Sequence, residues 1–106
     1  MKIKVVMNVK DADGEVTKIE VGDHYLVTHC VNFNEEGAVV WDNFSVYSDE
    51  KYMPDIKYHD GHWYRKKEFV IQTAAYGSMD IDGIEKVVAG YNEAVEVVKY
   101  LNKEYC

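Results

Sequence analysis

Proline occurs once in the 106 residues, cysteine twice and serine three times (Ser45, Ser48 and Ser78). A chain that is 47% hydrophobic with a single proline does not have the composition of a disordered protein. Two cysteines, Cys30 and Cys106, build no disulfide framework, so a reduced, cytoplasmic protein is expected. No serine sits between the glycines of a nucleophile elbow. Cations are also scarce: 12 Lys and Arg stand against 19 Asp and Glu, a net charge of −7. That balance excludes broad contact with a phosphate backbone, which needs positive charge. Apolar runs are short, and none approaches the ~20 residues that cross a bilayer. Met1-Lys2 leads directly into an alternating pattern rather than the continuous apolar core of a signal peptide. The length fits one domain.

The charge that is present is unevenly placed. Residues 11–50 hold ten carboxylates (Asp11, Asp13, Glu15, Glu20, Asp23, Glu35, Glu36, Asp42, Asp49 and Glu50) and one cation, Lys18, a balance of −9. The remainder sums to +2, with Lys51, Lys57, Arg65, Lys66 and Lys67 clustered in 51–70. Such a field repels nucleic acid and attracts basic protein surfaces.

Alternation over residues 2–10 predicts a first strand, with Ile3, Val5, Met7 and Val9 on one face and Val6 breaking the pattern. Asp11-Ala12-Asp13-Gly14 has turn chemistry, with Gly14 suited to positive φ. Strands follow over 15–21 (Thr17, Ile19 and Val21 on one face), 24–33 and 38–47, the last bent at Asp42-Asn43. Gly22-Asp23 and Asn34-Glu35-Glu36-Gly37 turn the chain between them. This spacing is that of an antiparallel meander. Residues 48–61 read as a polar loop with a short extended piece. After the Asp60-Gly61 turn, 62–65 and 67–73 read as one interrupted strand or two short ones. Asp80 opens a helix to about Tyr105, with Ser78 or Asp80 as cap and Asp82–Lys86 as an i,i+4 pair. Its apolar stripe is Ile81, Ile84, Val88, Tyr91, Val95, Val98, Leu101 and Tyr105, widened by Val87, Ala94 and Val97. Gly90 marks a close backbone approach to the sheet. The expected fold is α+β: an antiparallel meander of five or six strands on one long C-terminal helix.

A helix of that length is a rod of roughly 39 Å, whereas five or six strands make a sheet roughly 24–29 Å wide. The helix should overhang at its C-terminal end, leaving Tyr100, Leu101 and Tyr105 short of cover. Curling of the sheet, fraying of the terminus or a second copy of the chain would each resolve this, the last giving a homodimer through the helix.

Motifs for chemistry are weak. Asp11-Ala12-Asp13-Gly14-Glu15 lacks the glycine and carboxylate positions of a calcium loop and reads as a hairpin turn. His59-Asp60-Gly61-His62 has metal-like spacing but falls short of a four-ligand set, and His29 and Cys30 point to opposite faces of a strand. The segment before the helix has no lysine and no further glycines for a phosphate. Arg65-Lys66-Lys67 beside Trp63 and Tyr64 reads as a solvated strand end. No catalytic residue, metal or cofactor is assigned.

The aromatics stand out. Tyr47, Tyr52, Tyr58, Trp63 and Tyr64 lie within a polar stretch, and Tyr and Trp are the residues that anchor protein interfaces. The segment Ile71–Asp82 leading into an amphipathic helix, on a short acidic α+β chain, resembles small accessory proteins of phages and mobile elements, anti-CRISPR inhibitors among them. That resemblance implies a non-enzymatic inhibitor, acting in the host cytoplasm, that mimics nucleic acid toward a basic groove on a nuclease or similar enzyme. The expected contact residues are Glu35, Glu36, Asp42, Asp49 and Glu50, with Tyr47, Tyr52, Tyr58 and Trp63 as anchors. The alternative is a ligand-binding or enzymatic cleft near 48–62 using His59, Asp60 and His62, or a structural homodimer.

Overall fold

A computed structural model describes residues 1–62 and 64–106; the expected contact residue Trp63 lies outside the described residues. Four strands, β1 (Ile3–Lys10), β2 (Gly14–Val21), β3 (Tyr25–Phe33) and β4 (Val39–Tyr47), form an antiparallel meander in sequence order. A second, two-stranded antiparallel sheet pairs β5 (Asp55–Asp60) with β6 (Lys67–Gln72). One helix, α1 (Ile81–Tyr105), follows among the described residues. The fold is α+β, as the hydrophobic periodicities require. The six strands divide between two sheets because β4 and β5 lie side by side without forming a ladder.

The stretch expected as a loop contains a full strand. In β5, Ile56 and Tyr58 turn inward while Lys57 and His59 turn outward, a period-two pattern too short to stand out beside Pro54. Conversely, His62 and Tyr64–Lys66 are irregular, and the strand begins at Lys67.

Two bulges re-aim the meander. Val5 pairs with Ile19 and Met7 with Lys18, so Val6 is the extra residue. An extra residue exchanges the faces of everything beyond it. Ile3 and Val5 therefore share the face of Ile19 and Val21, whereas Met7 and Val9 lie on the opposite one, not on one face with them as the plain alternation suggested. The second irregularity falls at Val40, between the pairs Asn32–Trp41 and Phe33–Val39, rather than at Asp42-Asn43. Gly14 opens β2 without a positive φ. Its small size matters instead, since a Cβ there would meet the carbonyl of Val31.

Asp80 caps α1, accepting from the Gly83 N–H at 2.8 Å. The helix turns Gly83, Gly90, Ala94, Val97 and Leu101 into the fold. That face is rotated from the expected stripe, and the reason is close packing: a Cβ at Gly90 would strike the Tyr52 carbonyl. Leu101 is fully buried and Tyr105 packs on Phe44. The C-terminal end is thus covered, and the overhang falls at the opposite end, where Ile81 is 78% exposed.

The core joins Ile19, Val21, Tyr25, Val27 and Phe44 of the meander to Ile56 and Phe69 of the small sheet and to Ala94, Val97 and Leu101 of the helix. Phe44 sits at its centre, edge-on to Tyr58 and Phe69 and stacked on His29 at 4.0 Å. The Tyr25 hydroxyl donates to the Pro54 carbonyl at 2.5 Å, tying β3 to the start of β5. The Asn102 side chain accepts from the Phe69 N–H at 2.7 Å and donates to its C=O at 3.2 Å, standing in for a strand partner along β6.

The molecule is long, 56 × 31 × 20 Å, and its radius of gyration is 15.8 Å, against about 13 Å for a compact chain of this length. Its accessible surface is 7343 Å², where about 6100 Å² is usual for this mass. Core residues in the meander stop at Phe44. Beyond that row the face over which α1 lies turns polar, with Asn8 donating to Thr17 and Glu15. No helix among the described residues is long and apolar enough to cross a membrane.

Candidate protein-binding surface

A meander places alternate turns at opposite ends. The β1–β2 and β3–β4 turns come together at the end beyond the helix, where the Phe33 N–H donates to the Asp13 carbonyl at 2.9 Å. Each turn is built on one Asx side chain. Asp11 Oδ1 accepts from the N–H groups of Asp13 and Gly14. Asn34 Oδ1 accepts from those of Glu36 and Ala38. Asp11, Asp13, Glu35 and Glu36 are all exposed here, and half-buried Glu15 adjoins them. Five carboxylates therefore share one end of the sheet. Lys10, whose Nζ lies 5.5 Å from the Phe33 ring centroid, is a nearby cation.

Asp49 and Glu50 follow β4, so they lie roughly 30 Å from Glu35 and Glu36 along its nine residues. They join a second acidic group with Glu20, Asp23 and Glu93. There the Glu93 carboxylate accepts from the His24 N–H at 3.0 Å and pairs with His24 Nδ1 at 2.8 Å. This hydrogen bond, opposed by some desolvation and aided by the charges of Glu93, Glu50 and Asp23, holds the imidazole pKa above its usual value. Asp42 stands in the row of Glu15, across β3 from it, at the level of the acidic turns. It lies on β4, bonded to His29 Nε2 at 3.1 Å.

The expected aromatic anchors are also dispersed. Tyr47 is exposed at the end of β4, on the side of the meander away from the helix. Tyr52 is half-buried beside Gly90, with the ammonium groups of Lys51 and Lys86 over its ring. Tyr58 is a core-lining residue, and burial, reinforced by the Asp42 charge, pushes its phenol up to about 12. The eight described contact residues expected from sequence thus do not form one surface.

The residue that the sequence reading passed over is Trp41. It is 52% exposed beside the acidic turns, with Val39 and Val40 exposed next to it. A signal existed: Val39-Val40-Trp41 is an unbroken apolar run, like Val5-Val6-Met7 and Tyr25-Leu26-Val27, and a strand of such a sheet hides only one face.

His59 and His62 part company. His59 stacks on Tyr64 at 3.8 Å and lines a cavity of about 600 Å³ between β4 and β5, with Asn43, Ser45, Lys57 and Gln72. His62 and Asp60 line a different hollow of about 330 Å³ with Trp41 and Asp42. No group of three or more His, Cys, Asp or Glu among the described residues is arranged to hold a metal ion. Compared with known proteins, the chain matches no family model, no curated protein and no solved structure.

Proposed function

We propose that this chain is a non-enzymatic, cytoplasmic protein-binding module that presents the acidic turn end of its meander to a basic groove on a partner. An enzyme that handles nucleic acid is the expected partner, since its groove is built for a row of negative charges. The resemblance to anti-CRISPR-like inhibitors points the same way. The observation that carries the reading is the convergence of Asp11, Asp13, Glu15, Glu35 and Glu36 on one projecting end beside exposed Trp41. The carboxylates supply long-range attraction, which can raise association from about 10⁵–10⁶ to 10⁸–10⁹ M⁻¹s⁻¹ at low salt. Trp41 supplies the desolvated contact on which affinity usually concentrates.

The test is capture of partners from host lysate at low and high salt, followed by binding kinetics on the captured protein. A basic nuclease held at low salt and released at high salt is the expected result. Reversing Asp13, Glu35 and Glu36 to Lys should slow association, and Trp41→Ala should cost about 2 kcal/mol or more of affinity. Unchanged binding by the reversed variant would sink the proposal. A second reading, a small-ligand site, is favoured by the volume of the β4–β5 cavity, which lies within the ~300–1,000 Å³ of ligand pockets.

A further inference from the structure

β4 and β5 lie side by side with their ladder unmade, and no backbone hydrogen bond among the described residues crosses between them. Phe44 meets Tyr58 across this seam, and Trp41 and Asp42 share a hollow with Asp60 and His62, so the two strands run antiparallel. That direction sets Ser45 opposite Lys57 and Asn43 opposite His59. All four turn away from the helix, because their neighbours Phe44, Val46, Ile56 and Tyr58 turn into the core. The cavity of about 600 Å³ opens along residues 43–46 and 56–59. Backbone groups that these two runs turn toward the seam have no partner among the described residues, and such groups are satisfied by water or by a ligand. Phe44, Val46, Ile56 and Val70 give the cavity apolar lining. The stacked rings of His59 and Tyr64, nearly parallel at 4°, form a flat wall at one end.

We propose that this seam binds a small organic anion, a flat apolar body carrying one carboxylate or comparable group, with Lys57 as its counter-ion. The ligand class rests on the small-ligand reading of the cavity, and charge selects it. Lys57 and His59 line the cavity and no Asp or Glu does, in a chain with 19 acidic residues. Four other hollows, of about 330–410 Å³, are each lined by two or more carboxylates. Asp55 beside Gln72, and Glu68 beside His59, flank the seam without lining it, and Glu68 is paired with Lys66 at 3.5 Å. The ion pairs among the described residues leave Lys57 out. Its ammonium, the Ser45 hydroxyl across from it and the amides of Asn43 and Gln72 supply hydrogen-bond donors to one anionic head. The apolar lining takes the body of the ligand, as in small-molecule sites where a few polar groups fix orientation.

Three probes that share one ring system and differ in charge test this: 2-naphthoate, 2-naphthylmethylamine and 2-naphthalenemethanol. Each is titrated at pH 7 into the full chain while backbone amide resonances are followed by NMR. Naphthoate is expected to shift the amides of residues 43–46 and 56–59 saturably, with the amine and the alcohol at least tenfold weaker. Lys57→Gln should weaken naphthoate about tenfold, the worth of one hydrogen bond to a charged group. Ser45→Glu should abolish naphthoate binding and admit the amine. Both positions are exposed, so circular dichroism and melting should be unchanged. Equal binding of the amine or the alcohol overturns the anion class and leaves the cavity a ligand site of another kind. Naphthoate binding that is indifferent to Lys57→Gln, or that shifts amides elsewhere, overturns the site. Silence of the seam amides toward all three probes to about 10 mM overturns the small-ligand reading together with the proposal.

Discussion

Gly90 lies where α1 crosses the Tyr52 carbonyl, and a Cβ placed there would run into that oxygen. Alanine at this position should gain about 1 kcal/mol in helix propensity. It should lose more through overpacking, which typically costs about 1–3 kcal/mol. Gly90→Ala is therefore expected to lower the denaturant midpoint, against the propensity ranking; a raised midpoint would show that the loop gives way freely. The sequence signalled that this glycine mattered, because it interrupts an otherwise strong helix. It did not say what approaches it, since Tyr52 is 38 positions away and its segment has no regular periodicity. Val6 is the opposite case. It was visible as the one break in an alternating strand, and the break is a bulge that sends Met7 and Val9 to the other face.

At the scale of elements, α1 was the firmest expectation, and its bounds and cap follow local rules that neighbours do not change. Which face it buries does not follow from them. Two apolar stripes compete on one helix, and the smaller side chains win because they let the backbone approach the sheet and the β4–β5 loop. Asn102 was invisible as a structural residue, since a polar side chain near a helix end is ordinarily solvated. In the fold it completes the hydrogen bonding of Phe69, whose ring is buried. Asn102→Ala should cost about 1–3 kcal/mol by leaving both backbone groups of Phe69 unpaired. Urea denaturation would measure this, and hydrogen exchange at the Phe69 amide should accelerate. An unchanged midpoint would mean that water replaces the amide without loss.

Taken whole, the molecule is staggered: the bare start of α1 overhangs one end and the acidic turns project from the other. His24 and Glu93, 69 positions apart, clasp the β2–β3 turn to the helix. The folded-state pKa of His24 is raised, so the clasp contributes most below the unfolded value of about 6.5. Its contribution fades as pH rises through the folded value. Melting temperatures of wild type and His24→Gln should therefore differ most near pH 6 and converge above pH 8. A gap that widened with pH would show that the imidazole acts in its neutral form. The imidazole is exposed enough for salt to shrink the effect.

The amino-acid sequence by itself determined the α+β class, the meander, the helix and the excess of carboxylates, because each depends on periodicity, turn residues or composition within a few positions of the chain. Only the tertiary structure decided how these are disposed in space. The parity of the turns splits the acidic stretch between two ends of the sheet, since a meander sends successive hairpins in opposite directions. Two bulges choose which residues face the helix. The close approach permitted by Gly90 decides which stripe of α1 is buried and leaves Ile81, Ile84, Val88 and Val95 uncovered. Each of these outcomes depends on contacts between residues far apart in the chain, and no local pattern encodes them.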